Sequence, residues 1–208
     1  VLFRSLFGKV YLTKGDFQKA KDKLAEVVEH ESEYGFGLHK DYHANWLRDT
    51  EAGIEAVLYI EYKEPPFQHN GEMALAGPKY SIPGSLGISA LNEADIPTQE
   101  LYDQFDNRDL RKKTNFKTEF AHLKTGEILK SSIPLSGKFW VEGLETGDRC
   151  DVNMHIIRYA DAILMYAEAL NEVGKSTKAL AMLNRIRERA FGDDSGNFKP
   201  MSKDEFRT

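Results

Sequence analysis

Two stretches near opposite ends of the chain can be laid over each other by aligning one glycine in each, and this repeat restricts the fold more than any other feature. In KVYLTKGDFQKA, Gly15 supplies a left-handed helix stop and Asp16 the next N-cap; in YAEALNEVGKSTKAL, Gly174 takes the same part and Ser176 or Thr177 is the expected cap. The alignment pairs Gly8 with Ala167, Tyr11 with Leu170, Ala20 with Ala179, Leu24 with Leu183, and Val27 with Ile186. Small residues at the first and third pairs let helix backbones approach, and larger ones fill the seam, which is how tetratricopeptide hairpins pack. The opening hairpin resembles a tetratricopeptide repeat closely. The expected fold is mainly α: tetratricopeptide-like helical hairpins with a loop-rich insertion carrying short β-strands.

In RYADAILMYAEALNEVG, Arg158 to Gly174, the small residues Ala160, Ala167 and Ala169 mark faces that meet neighbouring helices. Arg158, Asp161, Glu168 and Glu172 form one polar stripe, read as a solvated or ion-paired face. Between the hairpins the pattern changes. EAVLYIEY, Glu55 to Tyr62, reads as a strand, and Lys63 to Asn92 holds four prolines and four glycines with little periodicity, so a long loop is expected. A helix then opens at Pro97 with Leu101, Tyr102 and Phe105 as its buried side. Phe116 to Trp140 reads as a β-hairpin around Lys124, Thr125 and Gly126. The chain divides as 1–30, a helical hairpin; 31–154, the loop-rich region; and 155–208, the C-terminal hairpin with a truncated end, all belonging to a single domain.

The 33 acidic and 28 basic residues are mixed along the chain and give a net charge of −5, so no basic stripe offers the footprint that a nucleic-acid backbone requires. Cys150, the one cysteine, can form neither an intrachain disulfide nor a thiol-based metal site. No window approaches the roughly 18 apolar residues of a membrane-spanning helix, and VLFRSLFGKVYL lacks a signal-peptide cleavage site. The first residue is not Met, the opening reads as the inside of a helix, and Ser202 and Glu205 stand at capping-box spacing just before the end, so both ends are expected to be cut. LFRS, Leu2 to Ser5, is also what a common sequencing adaptor encodes, and those four residues carry no weight.

Enzyme motifs are missing: no Gly-rich phosphate loop, no G-x-S-x-G elbow and no H-E-x-x-H helix. His39 and His43 are four apart, but Gly35 and Gly37 favour a loop and no third ligand is evident, so no metal is expected. Glu51 and Glu55 could in principle face across a glycosidase cleft, yet with 33 acidic residues such pairs arise by chance. Neither catalytic residues nor a cofactor is expected. What the sequence does offer is aromatic rings next to amides: Phe67, His69, Asn70 and Tyr80 in the long loop, and Phe139 and Trp140 after Gly137. A pyranose stacks its apolar face on a ring while its hydroxyls need donors and acceptors, so Tyr80 and Trp140 are the leading ligand-binding candidates, with Phe67, His69 and Asn70 in support. Trp46 and Tyr42 are expected to be buried.

Taken in order, KVYLTKGDFQKA, EYGFGLHKDYHANW, EAVLYIEY, PTQELYDQFDNRDLR with Asp109 and Arg111, the lone KFW, and RYADAILMYAEALNEVG followed by ALAMLNRIRERA resemble the SusD/RagB family of outer-membrane nutrient-uptake lipoproteins over nearly the whole chain. The resemblance implies a helical framework with 31–154 as its ligand-facing part, held at the outer-membrane surface of a Bacteroidetes-type bacterium by an N-terminal lipid that this fragment lacks. It implies a glycan ligand and a SusC-like TonB-dependent transporter as partners, with non-catalytic binding and delivery as the function. The alternatives are a tetratricopeptide-type protein-interaction module and a glycoside hydrolase. The arginine-rich segment that follows a stretch like SKDEF in the family is also missing, and the family pattern supplies no residue-level sugar site.

Overall fold

The computed structural model describes residues 1–63, 70–82 and 86–207. In chain order they form α1 (Leu2–Thr13), α2 (Phe17–Val28), α3 (Glu31–Tyr34), β1 (Ala56–Ile60), α4 (Glu72–Ala76), α5 (Gln99–Gln104), α6 (Arg111–Asn115), β2 (Phe116–Ala121), β3 (Ile128–Ser136), β4 (Met154–Arg158), α7 (Tyr159–Glu172) and α8 (Ser176–Phe191). Short 3-10 turns lie at Tyr42–Trp46, Gly147–Arg149, Asp194–Gly196 and Glu205–Arg207. The chain forms two compact units, one of Val1–Asp41, Ala52–Tyr59 and His155–Thr208, the other of Tyr42–Glu51 and Ile60–Met154. No helix among the described residues is long and apolar enough to cross a membrane.

The first unit contains both helical hairpins. Gly15 and Gly174 adopt φ of +73° and +78°, the left-handed geometry that ends α1 and α7 and that a β-carbon disfavours. Asp16 then caps α2, its carboxylate accepting the Lys19 N–H at 3.3 Å. The expected cap of α8 is not made. The Ser176 hydroxyl instead donates to Asn171 Oδ1 at 2.8 Å, because Asn171 is buried and its Nδ2 already donates to the Lys203 carbonyl at 3.0 Å, leaving the amide oxygen in need of a donor. Close approach explains Gly8: a β-carbon there would lie 2.5 Å from Leu24 Cγ.

Leu24, Val27, Tyr159, Ile163, Tyr166 and Leu170 lie in one apolar cluster, in which Ala179 and Ile186 supply the contribution of α8. The two buried rings keep their hydroxyls paired: Tyr159 donates to Glu31 Oε2 at 2.5 Å, and Tyr166 donates to Glu29. β1 and β4 pair in a two-stranded sheet, and β1 is shorter than the expected Glu55–Tyr62. Glu55 is fully buried, held by Arg189 at 2.6 Å, Arg158 at 3.4 Å and the His39 N–H at 2.9 Å. The polar stripe of α7 is part capped and part ion-paired: Asp161 accepts the Arg158 backbone N–H at 2.7 Å, and Glu172 meets Arg207 at 2.5 Å and Lys203 at 3.2 Å, while Glu168 is exposed.

The second unit holds the antiparallel hairpin of β2 and β3, in register from Phe116↔Ser136 to Ala121↔Ile128 with a bulge between Lys117 and Glu119. Its turn falls around Lys124–Gly126 as the sequence predicts, with the Gly126 N–H donating to the His122 carbonyl at 2.8 Å. Two expectations are corrected. The segment read as an irregular loop contains α4, whose five residues are too few for a helical period to be legible, although Met73, Ala74 and Ala76 are buried. Leu101 is exposed; α5 is anchored instead by Tyr102 and Phe105, whose rings meet Phe116 edge-on at 5.3 and 5.0 Å. One apolar cluster comprises Tyr42, Trp46, Met73, Cys150 and Val152, and another Ile82, Leu86, Leu91, Phe120 and Leu135. Tyr42 and Trp46 are buried as expected. Burial pushes the Cys150 thiol up to about 11, which keeps it protonated and unreactive at neutral pH.

Candidate ligand-binding site

Within the second unit, a cleft of about 590 Å³ opens between the segment that follows the Tyr42–Trp46 turn and the residues after β3. Its walls include Trp46, Arg48, Lys113, Lys117, Trp140 and Glu142. The turn is closed by the Thr50 hydroxyl, which donates to the Ala44 carbonyl at 2.7 Å, and Trp46 is wedged edge-on against Tyr42 at 4.6 Å. Arg48 is fixed by Asp151 at 2.5 Å. Only the margin of the Trp46 indole reaches the cleft, because its exposure is 6%. The Lys138 ammonium lies over that indole, 5.2 Å from its centroid.

Trp140 forms the opposite side. Its position depends on Gly137, whose N–H donates to the Asn115 carbonyl at 3.0 Å and whose carbonyl accepts the Trp140 N–H at 3.2 Å. A β-carbon at Gly137 would stand 2.6 Å from the Thr114 carbonyl oxygen, so this turn can form only around a glycine. The half-buried Trp140 rests edge-on against Phe120 at 4.6 Å, and its Nε1–H donates to Glu142 Oε1 at 2.9 Å. The same oxygen accepts from Lys117 Nζ at 2.7 Å, and that ammonium lies 5.3 Å from the indole centroid. The result is a ring fixed in orientation and bordered by hydrogen-bonding groups.

Glu51, at the end of the segment that walls the cleft, is 5% exposed. Burial, which outweighs the hydrogen bond from the Asn153 N–H at 2.8 Å, pushes its carboxyl up to about 7. The neighbouring Asp151 and Glu61 charges raise it further, and Arg48 opposes them.

Of the residues singled out from the sequence, Trp140 lines this cleft. Tyr80 does not; its ring is 75% exposed elsewhere in the same unit, with Lys79 Nζ 5.2 Å from its centroid. Asn70 is buried and bonded to the backbone throughout: Nδ2 donates to the Val152 carbonyl at 2.9 Å, Oδ1 accepts the Glu72 N–H at 2.7 Å, and its own N–H donates to the Cys150 carbonyl at 2.6 Å. Phe67 and His69 lie outside the described residues. His39 and His43 fall in different units, as do Glu51 and Glu55, and no group of three metal-ligating side chains occurs among the described residues. Sequence reasoning assigned Trp46 to the core alone and passed over Arg48, Lys113, Lys117 and Glu142. The available signal was a ring beside a charge, as in WLR and WVE.

Paired helices packed in the tetratricopeptide manner, together with a unit that carries an indole-lined cleft, define a helical scaffold with a candidate ligand-binding cleft. The chain belongs to the SusD family, whose sequence model matches residues 43–208. It is 30% identical over 222 residues to SusD-like protein P2 of Formosa agariphila, an alignment covering 94% of this chain and 42% of that protein. Among solved structures, a SusD superfamily protein from Parabacteroides distasonis superposes with a TM-score of 0.79 at 23% identity, over 98% of this chain and 46% of that one. The surface glycan-binding protein A of Bacteroides thetaiotaomicron, solved in complex with laminarihexaose, superposes with a TM-score of 0.72 at 17% identity, over 96% and 48%. The chain thus spans less than half the length of these relatives.

Proposed function

We propose that this chain is part of a non-catalytic glycan-binding protein displayed on the outer membrane, which holds oligosaccharides and delivers them to a SusC-like TonB-dependent transporter. The observation that carries this reading is the orientation of Trp140 at the cleft, where a fixed indole stands beside Lys117, Glu142 and Arg48. Such a wall suits a sugar, whose apolar face stacks on the ring while its hydroxyls exchange hydrogen bonds with the charged rim. Family membership supports the reading, as does the laminarihexaose complex of a relative with the same fold. Trp140 and Tyr80 supply the stacking faces, Phe67 and His69 add contacts, and Asn70 contributes by fixing the loop backbone. Residues 31–154 form the ligand-facing region between the two helical hairpins. Anchoring by an N-terminal lipid belongs to the same proposal.

Calorimetry on the full-length protein with a panel of neutral and acidic oligosaccharides tests it. Trp140→Ala is expected to weaken binding roughly tenfold or somewhat more, the worth of one lost stacking surface, and no reducing ends should be released on prolonged incubation. Unchanged affinity in a folded Trp140→Ala variant would remove the cleft from the binding site.

A further inference from the structure

A second depression in the same unit, of about 690 Å³, is lined by Arg149, Lys124, Ser89, Thr146 and Glu145 among others. Arg149 is the one arginine among the described residues whose side chain has no hydrogen-bond or ion-pair partner. Arg4, Arg48, Arg108, Arg111, Arg158, Arg185, Arg189 and Arg207 are all salt-bridged, and Arg187 donates to the Gly196 carbonyl. Lys124 likewise has no ion pair among the described residues. In a chain with a net charge of −5, a depression bordered by two cations against one carboxylate, Glu145, with neither cation ion-paired, runs against the overall balance, and a concave site concentrates that positive excess.

The segments that present these cations are braced. The Ser89 N–H donates to the Glu145 carbonyl at 2.8 Å and the Gly147 N–H to the Ser89 carbonyl at 2.9 Å, which ties the approach to Arg149 to a second strand-like segment. On the other side, His122 Nδ1 accepts the N–H groups of Lys124 and Thr125 at 3.2 and 3.3 Å, and the Leu123 N–H donates to the Leu86 carbonyl at 2.8 Å. The Ser89 hydroxyl, which donates to the Glu145 carbonyl at 3.3 Å, keeps its acceptor lone pairs. Glu145 also borders the depression, and its carboxylate pairs with neither cation.

We infer that this depression is a second carbohydrate subsite that takes the oxyanion of an acidic sugar, a uronate carboxylate or a sulfate ester, so that the glycan of this protein is acidic. The inference rests on the glycan-binding reading above and names the class of its ligand. A guanidinium presents a planar fork of donors matched to two oxygens of a carboxylate or sulfate, and an ammonium adds a second point of charge; hydroxyl groups such as that of Ser89 complete a polar lining fit for a sugar.

The test uses calorimetry on the full-length protein with three probes: alginate oligosaccharides for the carboxylate, carrageenan oligosaccharides for the sulfate ester, and laminarin oligosaccharides as neutral chains. Binding to at least one acidic probe is expected, falling as salt is raised, and Arg149→Gln should weaken it roughly tenfold, the worth of a charge-assisted hydrogen bond. Lys199→Gln, which removes the same charge from an exposed position in the other unit, should change it little. The acidic probe that binds tells carboxylate from sulfate. Unaltered acidic-glycan affinity in Arg149→Gln, or equal losses in both variants, would overturn the subsite. Binding of laminarin alone, lost in Trp140→Ala and untouched in Arg149→Gln, would also overturn it while leaving the glycan-binding function standing. Binding of none of the probes would overturn this inference, and insensitivity of a bound neutral glycan to Trp140→Ala would count against the proposed function.

Discussion

Glu93 Oε2 accepts the backbone N–H of Tyr80 at 2.7 Å. The same oxygen accepts the N–H groups of Lys79 at 2.7 Å and Ser81 at 2.9 Å, so one carboxylate gathers three consecutive amides and sets the segment that presents the Tyr80 ring. Glu93 itself has φ of +53°, a left-handed geometry that an L residue enters at a cost, which these bonds offset. Burial pushes its carboxyl up, but the amides of Ser81, Tyr80 and Lys79 outweigh that effect and its pKa ends below the ordinary 4.5.

Replacing Glu93 by Ala should therefore cost about 1–3 kcal/mol and accelerate amide exchange at Lys79, Tyr80 and Ser81. Because the folded pKa is lowered, the stabilisation is present in full above the unfolded value near 4.5 and is lost as pH falls through the folded value. Denaturation of wild type and Glu93→Gln across this range should give curves that diverge at neutral pH and converge in acid. Parallel curves would show that the charge of Glu93 is not what holds the segment.

Glu51 has the opposite sign. Its carboxyl is pushed up to about 7, so between the ordinary 4.5 and about 7 the folded state binds a proton that the unfolded state has released. Stability should fall as pH rises through that window. Glu51→Gln keeps an acceptor for the Asn153 N–H and removes the buried charge, and is expected to raise stability at pH 8 by on the order of 1–3 kcal/mol with little effect at pH 5. Urea titrations at the two pH values measure the difference, and a variant less stable than wild type at pH 8 would show that Glu51 is held ionised by its partners.

The faces of α7 can be checked with a pair of substitutions. Ala167 is 1% exposed, and Leu there should overpack the helix contact and cost about 1–3 kcal/mol, whereas Glu168→Gln on the exposed side should change stability by less than about 0.5 kcal/mol. Equal melting temperatures for the two variants would contradict this assignment of faces. Glu172 is a poorer reference than Glu168, since it is clamped by Arg207 and Lys203.

These helices were legible in the sequence because each signal is local: Gly15 and Asp16 are adjacent, and Leu24 and Val27 repeat at the helical period. The missing cap at Ser176 was not legible, since it follows from the Asn171 amide being claimed by the Lys203 carbonyl, a contact with a distant part of the chain. The cleft falls between these cases. Trp140 stood out beside Gly137, but the encounter of Trp46, Lys117 and Trp140 is made by three segments far apart in sequence, and no spacing rule announces it. Asn70 shows another limit of local reading: an amide beside a ring suggests a ligand, and the sequence does not announce that its hydrogen bonds go to the backbone of Val152 and Glu72.

Gly137 joins fold and site most directly, and a substitution there separates the two. A methyl group at this position would meet the Thr114 carbonyl oxygen at 2.6 Å, a backbone atom that cannot rotate away, so Gly137→Ala must displace the turn that carries Trp140. The expected cost is about 1–3 kcal/mol of stability, together with weaker glycan binding as the indole moves relative to Lys117 and Glu142. Gly126→Ala provides the comparison: its φ of +71° makes alanine strained by roughly 1–2 kcal/mol, but no atom lies within 4 Å of the added carbon, and it stands at the tip of the β2–β3 hairpin, outside the lining of the cleft. Both variants should melt earlier than wild type, and only Gly137→Ala should lose affinity for a neutral glycan, which draws on the cleft and not on Lys124. Equal affinity in the two, measured by calorimetry well below their melting temperatures, would show that the glycan does not use the ring that this turn holds in place.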